Sequence, residues 1–227
     1  MKFAITFFLS LLVCAVSFAQ VSQKEKEFGV TAETKNNALN ELYLADRLYE
    51  DKSYYETYEI LLRVAKADPV ILNTYENLYR VSIKLNKYNN EVIDCFLTAK
   101  KIYTDNCEIN FFLAELLSHR KEYEKALAEY DNAITIQNKN KIKSFYTPYF
   151  YSSRGFCHIQ LASFSLAEKD YSNFLEIYPR NMIGLLNRGY CYYKLGDIEK
   201  AKQDWEVASN FGSTEAKAFL NKFTPYK

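Results

Sequence analysis

Residues 182–213 read MIGLLNRGYCYYKLGDIEKAKQDWEVASNFGS, and this stretch decides the fold. Its apolar and small residues are spaced for two short antiparallel helices that pack against each other. Gly189 is small enough to let the second helix approach, and Ala201 lies where the two helices would cross. Gly196 can end the first helix in a left-handed conformation, which glycine adopts at little cost. The stretch therefore predicts a helical hairpin.

The same pattern occurs 34 residues earlier in the chain. The identical pairs are Arg154 and Arg188, Gly155 and Gly189, Cys157 and Cys191, Leu161 and Leu195, and Asp170 and Asp204. The corresponding apolar residues are Phe164 and Ile198, Ala167 and Ala201, and Tyr171 and Trp205. A period of 34 residues indicates an array in which each hairpin covers the apolar face of the next.

On these residues the chain resembles the tetratricopeptide-repeat family. The matching residues of the best-preserved repeat are Gly189, Tyr192, Gly196, Ala201, Trp205 and Ala208. The repeat before it matches through Gly155, Ala162, Phe164, Ala167, Tyr171 and Pro179, and the one before that through Ala114, Tyr123, Ala126, Tyr130 and Ala133. Two earlier repeats match more loosely, through Ala45, Tyr54 and Pro69, then Tyr75, Leu78 and Tyr88. The resemblance is specific for fold and says little about chemistry.

The resemblance implies an all-α protein, a right-handed α-solenoid of about five helical hairpins plus a C-terminal capping helix. The solenoid would occupy residues 38–227, with repeats at about 38–71, 72–106, 107–147, 148–181 and 182–215, and a cap at 214–224. In the second repeat Glu91 stands where the alanine of the helix crossing belongs, which predicts a shifted second helix. Seven extra residues, 138–144, predict a longer helix or a solvated connector between the third and fourth repeats.

The N-terminus has the features of an export signal. Lys2 supplies a positive charge, residues 3–16 form an apolar segment, and Ser17 to Ala19 provide a cleavage site before Gln20. Residues 1–19 are therefore predicted to be a signal peptide, followed by a polar, flexible leader at residues 20–37. The mature protein would be periplasmic or extracellular, without a membrane span, because the apolar segment is shorter than the roughly 20 residues that a bilayer requires.

A lipoprotein signal is the alternative interpretation of the same segment. Leu11-Leu12-Val13-Cys14 resembles a bacterial lipobox, in which Cys14 would carry a diacyl anchor. Val13 stands where that motif has a small residue, which weakens the match. Under this alternative the chain would be a lipid-anchored structural component of a cell-envelope assembly.

Composition and motifs exclude some functions. Without the predicted signal peptide, whose only charge is Lys2, 28 basic and 28 acidic residues remain. No run of Lys or Arg occurs, so nucleic acid is a poor candidate partner. Only His119 and His158 are present, and His158 is predicted to pack in the interior because Tyr192 occupies the same repeat position. No HExxH, GxSxG, GxGxxG or GxxxxGK[ST] motif occurs. The sequence therefore predicts neither an enzyme nor a cofactor.

Four cysteines follow the predicted signal peptide: Cys95, Cys107, Cys157 and Cys191. Cys157 and Cys191 hold equivalent positions in stacked helices about 8–10 Å apart, which is too far for a disulfide. Cys95 and Cys107 lie in consecutive helices, and the sequence leaves open whether they form a bridge. No CxxC motif indicates a redox or zinc site.

The resemblance also implies where a partner would bind. In tetratricopeptide repeats the first helix of each hairpin lines the concave surface, which holds peptides or partner helices. The implied groove residues are Tyr49, Arg80, Lys84, Phe111, Glu115, Tyr149, Ser152, Phe156, Tyr190, Tyr193 and Lys194, with Asp46, Glu76 and His119 also on this surface. Leu42 and Asp46 replace the Lys and Asn of repeats that clamp chaperone carboxyl termini. The expected function is thus a non-enzymatic scaffold for an unidentified protein or peptide.

Two repeats each contain an arginine followed 16 residues later by an aspartate. Arg154 precedes Asp170, and Arg188 precedes Asp204, at equivalent positions of two repeats. This spacing predicts an ion pair between the two helices of one hairpin, with a structural role.

The two interpretations of the N-terminus predict different mature proteins. Intact-mass measurement of the protein purified from an exporting bacterial host is expected to show a chain that begins at Gln20. A mass that corresponds to a chain beginning at a diacylated Cys14 would instead establish the lipoprotein alternative.

Overall fold

The computed structural model describes residues 23–141 and 143–222, and the predicted signal peptide, including Cys14, lies outside this range. The described residues form helices and turns, without a strand. The chain divides into two compact units, with unit 1 ending at Thr104 and unit 2 beginning at Asp105. No helix in the described part of the chain is long and apolar enough to cross a bilayer.

Unit 1 contains two helical hairpins. Its helices are α1 (Ala32–Glu50), α2 (Tyr54–Ala67), α3 (Asn73–Leu85) and α4 (Asn90–Ile102), and residues 23–27 are also helical. The first helix begins at Ala32, within the predicted leader. The reason is local, since the Thr31 hydroxyl accepts a hydrogen bond from the Thr34 amide at 3.1 Å and caps the helix. Ala38 is the first buried residue of α1.

The second hairpin of unit 1 shows the predicted shift in its second helix. Glu91 is exposed, and the neighbouring Val92 is fully buried at the crossing. Asn89 caps α4 by accepting a hydrogen bond from the Val92 amide at 3.1 Å, which sets the start of the helix. Phe96, one turn after Val92, packs edge-on against Tyr75 of α3 at 5.5 Å between ring centroids. The repeat therefore keeps its packing by moving the buried position by one residue.

Unit 2 contains three hairpins and a final helix. Its helices are α5 (Cys107–His119), α6 (Tyr123–Asn140), α7 (Thr147–Gln160), α8 (Phe164–Ile177), α9 (Met182–Lys194), α10 (Ile198–Asn210) and α11 (Thr214–Asn221). The final helix covers the last apolar face, as predicted: Phe219 stacks on Trp205 at 4.8 Å between ring centroids, and Ala216 is fully buried.

The seven extra residues lengthen α6 and form a connector that folds back onto the start of unit 2. α6 has 18 residues, and Lys141 ends it in a left-handed conformation. Asn140 donates a hydrogen bond to the Asp105 carbonyl at 3.2 Å, and Ser144 donates to Glu108 at 2.5 Å. These bonds hold the connector against the first helix of the unit.

The helix crossing of the last hairpin depends on a glycine facing a large ring. A Cβ atom at Gly189 would lie 2.5 Å from Nε1 of Trp205, which is far inside van der Waals contact. The same indole nitrogen donates to the Leu186 carbonyl at 3.2 Å, so the ring is anchored to α9. Gly196 follows α9 with φ +87°, the left-handed conformation that the sequence predicts. In the preceding hairpin Gly155 faces Tyr171 in the same way, at 3.1 Å.

The ion pairs predicted at the 16-residue offset are present. Arg154 donates from Nε and Nη2 to both carboxylate oxygens of Asp170, at 2.9 and 2.5 Å, and Nη1 also donates to Asp131 at 2.7 Å. Arg188 and Asp204 form the same bidentate pair at 2.8 and 2.7 Å. Both aspartates are buried, so each pair satisfies a carboxylate that would otherwise be left in the interior.

All four described cysteines are buried free thiols, so Cys95 and Cys107 are not bridged. Burial raises the pKa of Cys95 and of Cys157 to about 11 and that of Cys191 to about 12. Burial also raises the pKa of Cys107. These thiols are therefore protonated at neutral pH and have the character of small core residues.

Gly189→Ala is expected to destabilise the protein by about 1–2 kcal/mol, because overpacking outweighs the roughly 1 kcal/mol that alanine gains over glycine in a helix. Urea denaturation followed by Trp205 fluorescence measures the free energy of unfolding. The matched control is Gly155→Ala, where the nearest ring atom lies at 3.1 Å. The loss of unfolding free energy in Gly155→Ala is expected to be about 1 kcal/mol smaller than in Gly189→Ala. An equal or larger loss in Gly155→Ala would contradict this account of the crossing.

Burial and raised pKa values predict slow thiol chemistry in the native protein. At pH 8 a thiol with a pKa of about 11 is ionised in about one molecule in a thousand, so native mature protein is expected to react slowly with Ellman's reagent. The ionised fraction of the thiol, and with it the rate of reaction with the reagent, should rise about tenfold per pH unit below that pKa. In urea all four thiols should react, whereas two reactive thiols would indicate a Cys95–Cys107 bridge.

Candidate functional site

A groove of about 430 Å³ lies on unit 2, along the first helices of its three hairpins. It is lined by Glu115, Ser118, His119, Lys121, Tyr123, Ser152, Ser153, Phe156, Tyr171, Ile183 and Asn187. α5, α7 and α9 each contribute side chains, and the turn after α5 contributes Lys121. Most of these side chains are polar, and the apolar ones include exposed residues that a partner could cover.

Three of the predicted groove residues, Glu115, Ser152 and Phe156, come together in this groove, as does His119. Sequence reasoning missed Ser153 and Asn187, which line the groove from α7 and α9. It also missed Ile183, whose side chain is 68% exposed. Ile183 is the second residue of its repeat, a position that family geometry assigns to the concave surface, so the signal was present in the sequence.

The floor of the groove is held rigid by buried side chains. The Tyr130 hydroxyl donates a hydrogen bond to Oε1 of Glu115 at 2.5 Å. Burial and the negative charge of Glu115 raise the pKa of Tyr130 well above its usual value, so the phenol keeps its proton and remains a donor. The Cys157 thiol donates to the Ser118 hydroxyl at 3.4 Å. Glu115 and Ser118 are therefore positioned before any partner arrives.

One wall of the groove is aromatic. The ring of Phe156 is 43% exposed and meets Tyr123 edge-on, with 6.2 Å between ring centroids. A half-exposed aromatic ring beside fixed polar groups offers large apolar contact area at a low cost in side-chain entropy. The groove can thus contribute apolar burial, hydrogen bonds and one carboxylate to recognition.

Apart from Phe111, four predicted groove residues of unit 2 do not line this groove. Tyr190 and Lys194 form a separate cluster with Phe164: the rings of Tyr190 and Phe164 are 6.0 Å apart, and the Lys194 ammonium lies 5.6 Å from the Tyr190 centroid. Tyr193 packs beside Trp205, with 6.0 Å between ring centroids. Tyr149 is exposed at the start of α7. The prediction that these residues bind a partner remains a prediction.

The prediction for Phe111 is wrong. Its side chain is only 2% exposed, and its ring packs at 5.0 Å from Phe150 and 5.3 Å from Tyr146. Tyr146 comes at the end of the connector that follows the lengthened α6, so the extra residues place an aromatic ring over a position that is open in a regular repeat. Phe111 is therefore a core residue.

The predicted residues of unit 1 form their own cluster. The Arg80 guanidinium carbon lies 5.2 Å from the Tyr49 ring centroid, and the Lys84 ammonium lies 5.9 Å from it. Lys84 is also 4.6 Å from the centroid of Tyr54. Tyr49, Arg80 and Lys84 were each predicted to be groove residues, and the structure places their side chains next to one another.

The buried titratable groups near α7 have structural roles. His158 is half-buried, with its Nε2 atom 3.9 Å from Asp170, and burial lowers its pKa, so it is neutral at pH 7. Asp170 is already engaged by Arg154. Within residues 23–141 and 143–222, no group of three or more His, Cys, Asp or Glu side chains is arranged to hold a metal ion.

The hairpin geometry agrees with comparisons to known proteins. A family model described as "Tetratricopeptide repeat" matches residues 184–206, which lie in the hairpin of α9 and α10. The chain has the tetratricopeptide-repeat fold. The predicted all-α repeat fold is thereby confirmed. No curated protein matches the chain.

Solved structures share this tetratricopeptide fold. A structure of MamA matches with a TM-score of 0.66 at 16% identity, over 87% of this chain and 99% of MamA. YrrB, described as "a TPR protein with an unusual peptide-binding site", matches with a TM-score of 0.65 at 16% identity, over 89% and 98% of the two chains. PilF of Pseudomonas aeruginosa has a TM-score of 0.64 at 14% identity, over 83% and 82%. At these identities the likeness concerns the fold.

Proposed function

We propose that this protein is a non-enzymatic scaffold that binds a peptide or protein segment in the groove of unit 2. The observation that carries the proposal is the combination of exposed apolar side chains, Phe156 and Ile183, with polar groups that are already fixed, Glu115 and Ser118. Apolar side chains supply binding free energy through burial, and fixed hydrogen-bonding groups supply orientation.

The dimensions of the groove suit an extended segment. Neighbouring packed helices are about 8–10 Å apart, so the path from α5 across α7 to α9 is roughly 16–20 Å long. An extended chain advances about 3.3 Å per residue, so about five or six residues would cross the three helices. The fold supports this role by analogy, because YrrB, which shares it, is described as having a peptide-binding site.

The site is suited to recognition, and the proposal includes no reaction. Glu115 accepts a hydrogen bond from a buried phenol, which holds it in place as an acceptor. The remaining groups on the groove are hydroxyls, an amide, the His119 imidazole, the Lys121 ammonium and apolar side chains. These groups can bind a polypeptide through hydrogen bonds, charge and burial.

We also propose that the protein works outside the cytoplasm. The support is the N-terminal sequence alone, with Lys2, the apolar residues 3–16 and the small residues before Gln20. If Cys14 is acylated, the same scaffold would be tethered to a membrane as part of an envelope assembly. In both cases the groove would meet partners in the periplasm or at the cell surface.

Phe156→Ala is expected to weaken peptide binding at least tenfold, which is about 1.4 kcal/mol, because it removes the aromatic wall of the groove. Peptides selected from a random phage-displayed library on the immobilised mature protein would serve as probes. Isothermal titration calorimetry would then measure their affinity for wild type and variants, and circular dichroism would verify that each variant is folded.

Phe211→Ala is the matched control. Phe211 is also 43% exposed, but it follows α10 and does not line the groove. Its affinity for the selected peptides should stay within about twofold of wild type. Equal binding by a folded Phe156→Ala protein, or equal losses in both variants, would contradict the assignment of the groove.

A further inference from the structure

Unit 1 carries two exposed cations on an aromatic platform. The rings of Tyr49 and Tyr54 meet edge-on at 5.3 Å, with 64° between their planes. Arg80 lies over Tyr49 at 5.2 Å, and Lys84 lies over Tyr54 at 4.6 Å. The electron-rich faces of the rings attract the cations and restrict where they can move. The two charges are therefore held in place on the surface.

Neither cation is paired with a carboxylate in the described residues, although both are exposed. Asp46, on the same helix as Tyr49, accepts a hydrogen bond from Asn77 at 3.3 Å. Several other cations of unit 1 do pair with carboxylates, among them Arg63 with Glu41, Lys66 with Glu91, and Lys87 with Glu59. Lys87 also lies over two rings, those of Tyr55 and Tyr58, so Arg80 and Lys84 differ from it in forming no ion pair with a carboxylate of the described residues.

This arrangement works against the stability of the free protein. Arg80 and Lys84 are four residues apart on α3, so they lie one turn apart on the same face. Like charges at this spacing repel each other, whereas Glu76, four residues before Arg80, is at a spacing that attracts it. The repulsion between Arg80 and Lys84 remains, and an anion bound between them would remove it and gain two favourable contacts.

We propose that Tyr49, Tyr54, Arg80 and Lys84 form a subsite for an anionic side chain of the protein partner, either a carboxylate or a phosphoryl group. The Arg80 guanidinium can donate two parallel hydrogen bonds to such a group, and the Lys84 ammonium supplies a compact second charge. The rings beneath them would contact the apolar part of the partner's side chain. This inference rests on the proposed function, because the anion belongs to a bound polypeptide.

Three fluorescein-labelled peptides of the same length test the charge preference. The first alternates Tyr with Glu, the second alternates Tyr with Gln, and the third alternates Tyr with phosphoserine. Fluorescence anisotropy with the whole mature protein at about 50 mM and about 300 mM NaCl would measure their affinities and the effect of screening. Wild type is expected to bind the Glu peptide at least about tenfold more tightly than the Gln peptide at low salt, and the difference should shrink at high salt. A phosphoserine peptide that binds more tightly than the Glu peptide would identify a phosphoryl group as the preferred anion.

The variant Arg80→Gln/Lys84→Gln is expected to bind the Glu and Gln peptides equally, within about twofold. Its melting temperature should change little, because the loss of the cation–π contacts and the relief of the repulsion on α3 offset each other. Arg63→Gln is the control, since it removes an exposed charge that is already paired with Glu41, and it should keep the wild-type preference.

Two results would overturn the inference: equal binding of the Glu and Gln peptides by wild type, or a preference for Glu that survives in the double variant. Neither result would affect the groove of unit 2, which is tested separately by peptides selected for binding and by Phe156→Ala. If Phe156→Ala leaves those peptides bound while the charge preference follows Arg80 and Lys84, the proposed groove fails and the anion subsite stands.

Discussion

The close approach of two helices at a glycine is the constraint on which the packing of unit 2 depends. At Gly189 the ring of Trp205 occupies the space that a Cβ atom would need, and at Gly155 the ring of Tyr171 does the same. Neighbouring hairpins also meet at a small residue, since a Cβ atom at Gly184 would lie 2.9 Å from the ring of Phe174. Each large ring thus fills a place vacated on the facing helix, which gives dense packing without strain. Next to two of these contacts lie the bidentate pairs of Arg154 with Asp170 and Arg188 with Asp204, which join the helices of one hairpin.

The packing of the two helices within each hairpin explains where the candidate binding surfaces lie. The second helices direct their largest rings at the first helices of the same hairpin, as Tyr130 and Trp205 show. The other sides of the first helices are consequently left for solvent or for partners. In unit 2 that surface carries a groove with fixed hydrogen-bonding groups, and in unit 1 it carries cations on aromatic rings. A rigid interior is what keeps these groups in place before binding, which lowers the entropic cost of recognition.

Much of this architecture could be predicted from the sequence, because comparing the repeats shows which kind of residue each repeat position requires. A residue that recurs 34 positions later has the same surroundings in both repeats. The recurrence of Gly155 as Gly189, and of Asp170 as Asp204, therefore indicates the structural role of each residue. Where repetition fails, prediction fails with it. The start of α1 depends on the Thr31 cap, and Phe111 is covered by a ring from the connector. These are local departures from the repeat, and no comparison between repeats reveals them.

The sequence by itself determined the hairpin, its period, the helix crossings at Gly155 and Gly189, the ion pairs and the helix that caps the end. It could do so because each depends on the size or charge of residues at a regular spacing. Only the tertiary structure decided which first-helix residues share a surface: it joined Glu115, Ser152 and Phe156, set Tyr190 and Tyr193 apart, buried Phe111, and placed Arg80 and Lys84 over Tyr49. The reason is that exposure depends on what the neighbouring elements cover, and a seven-residue connector changes that cover without changing the repeat.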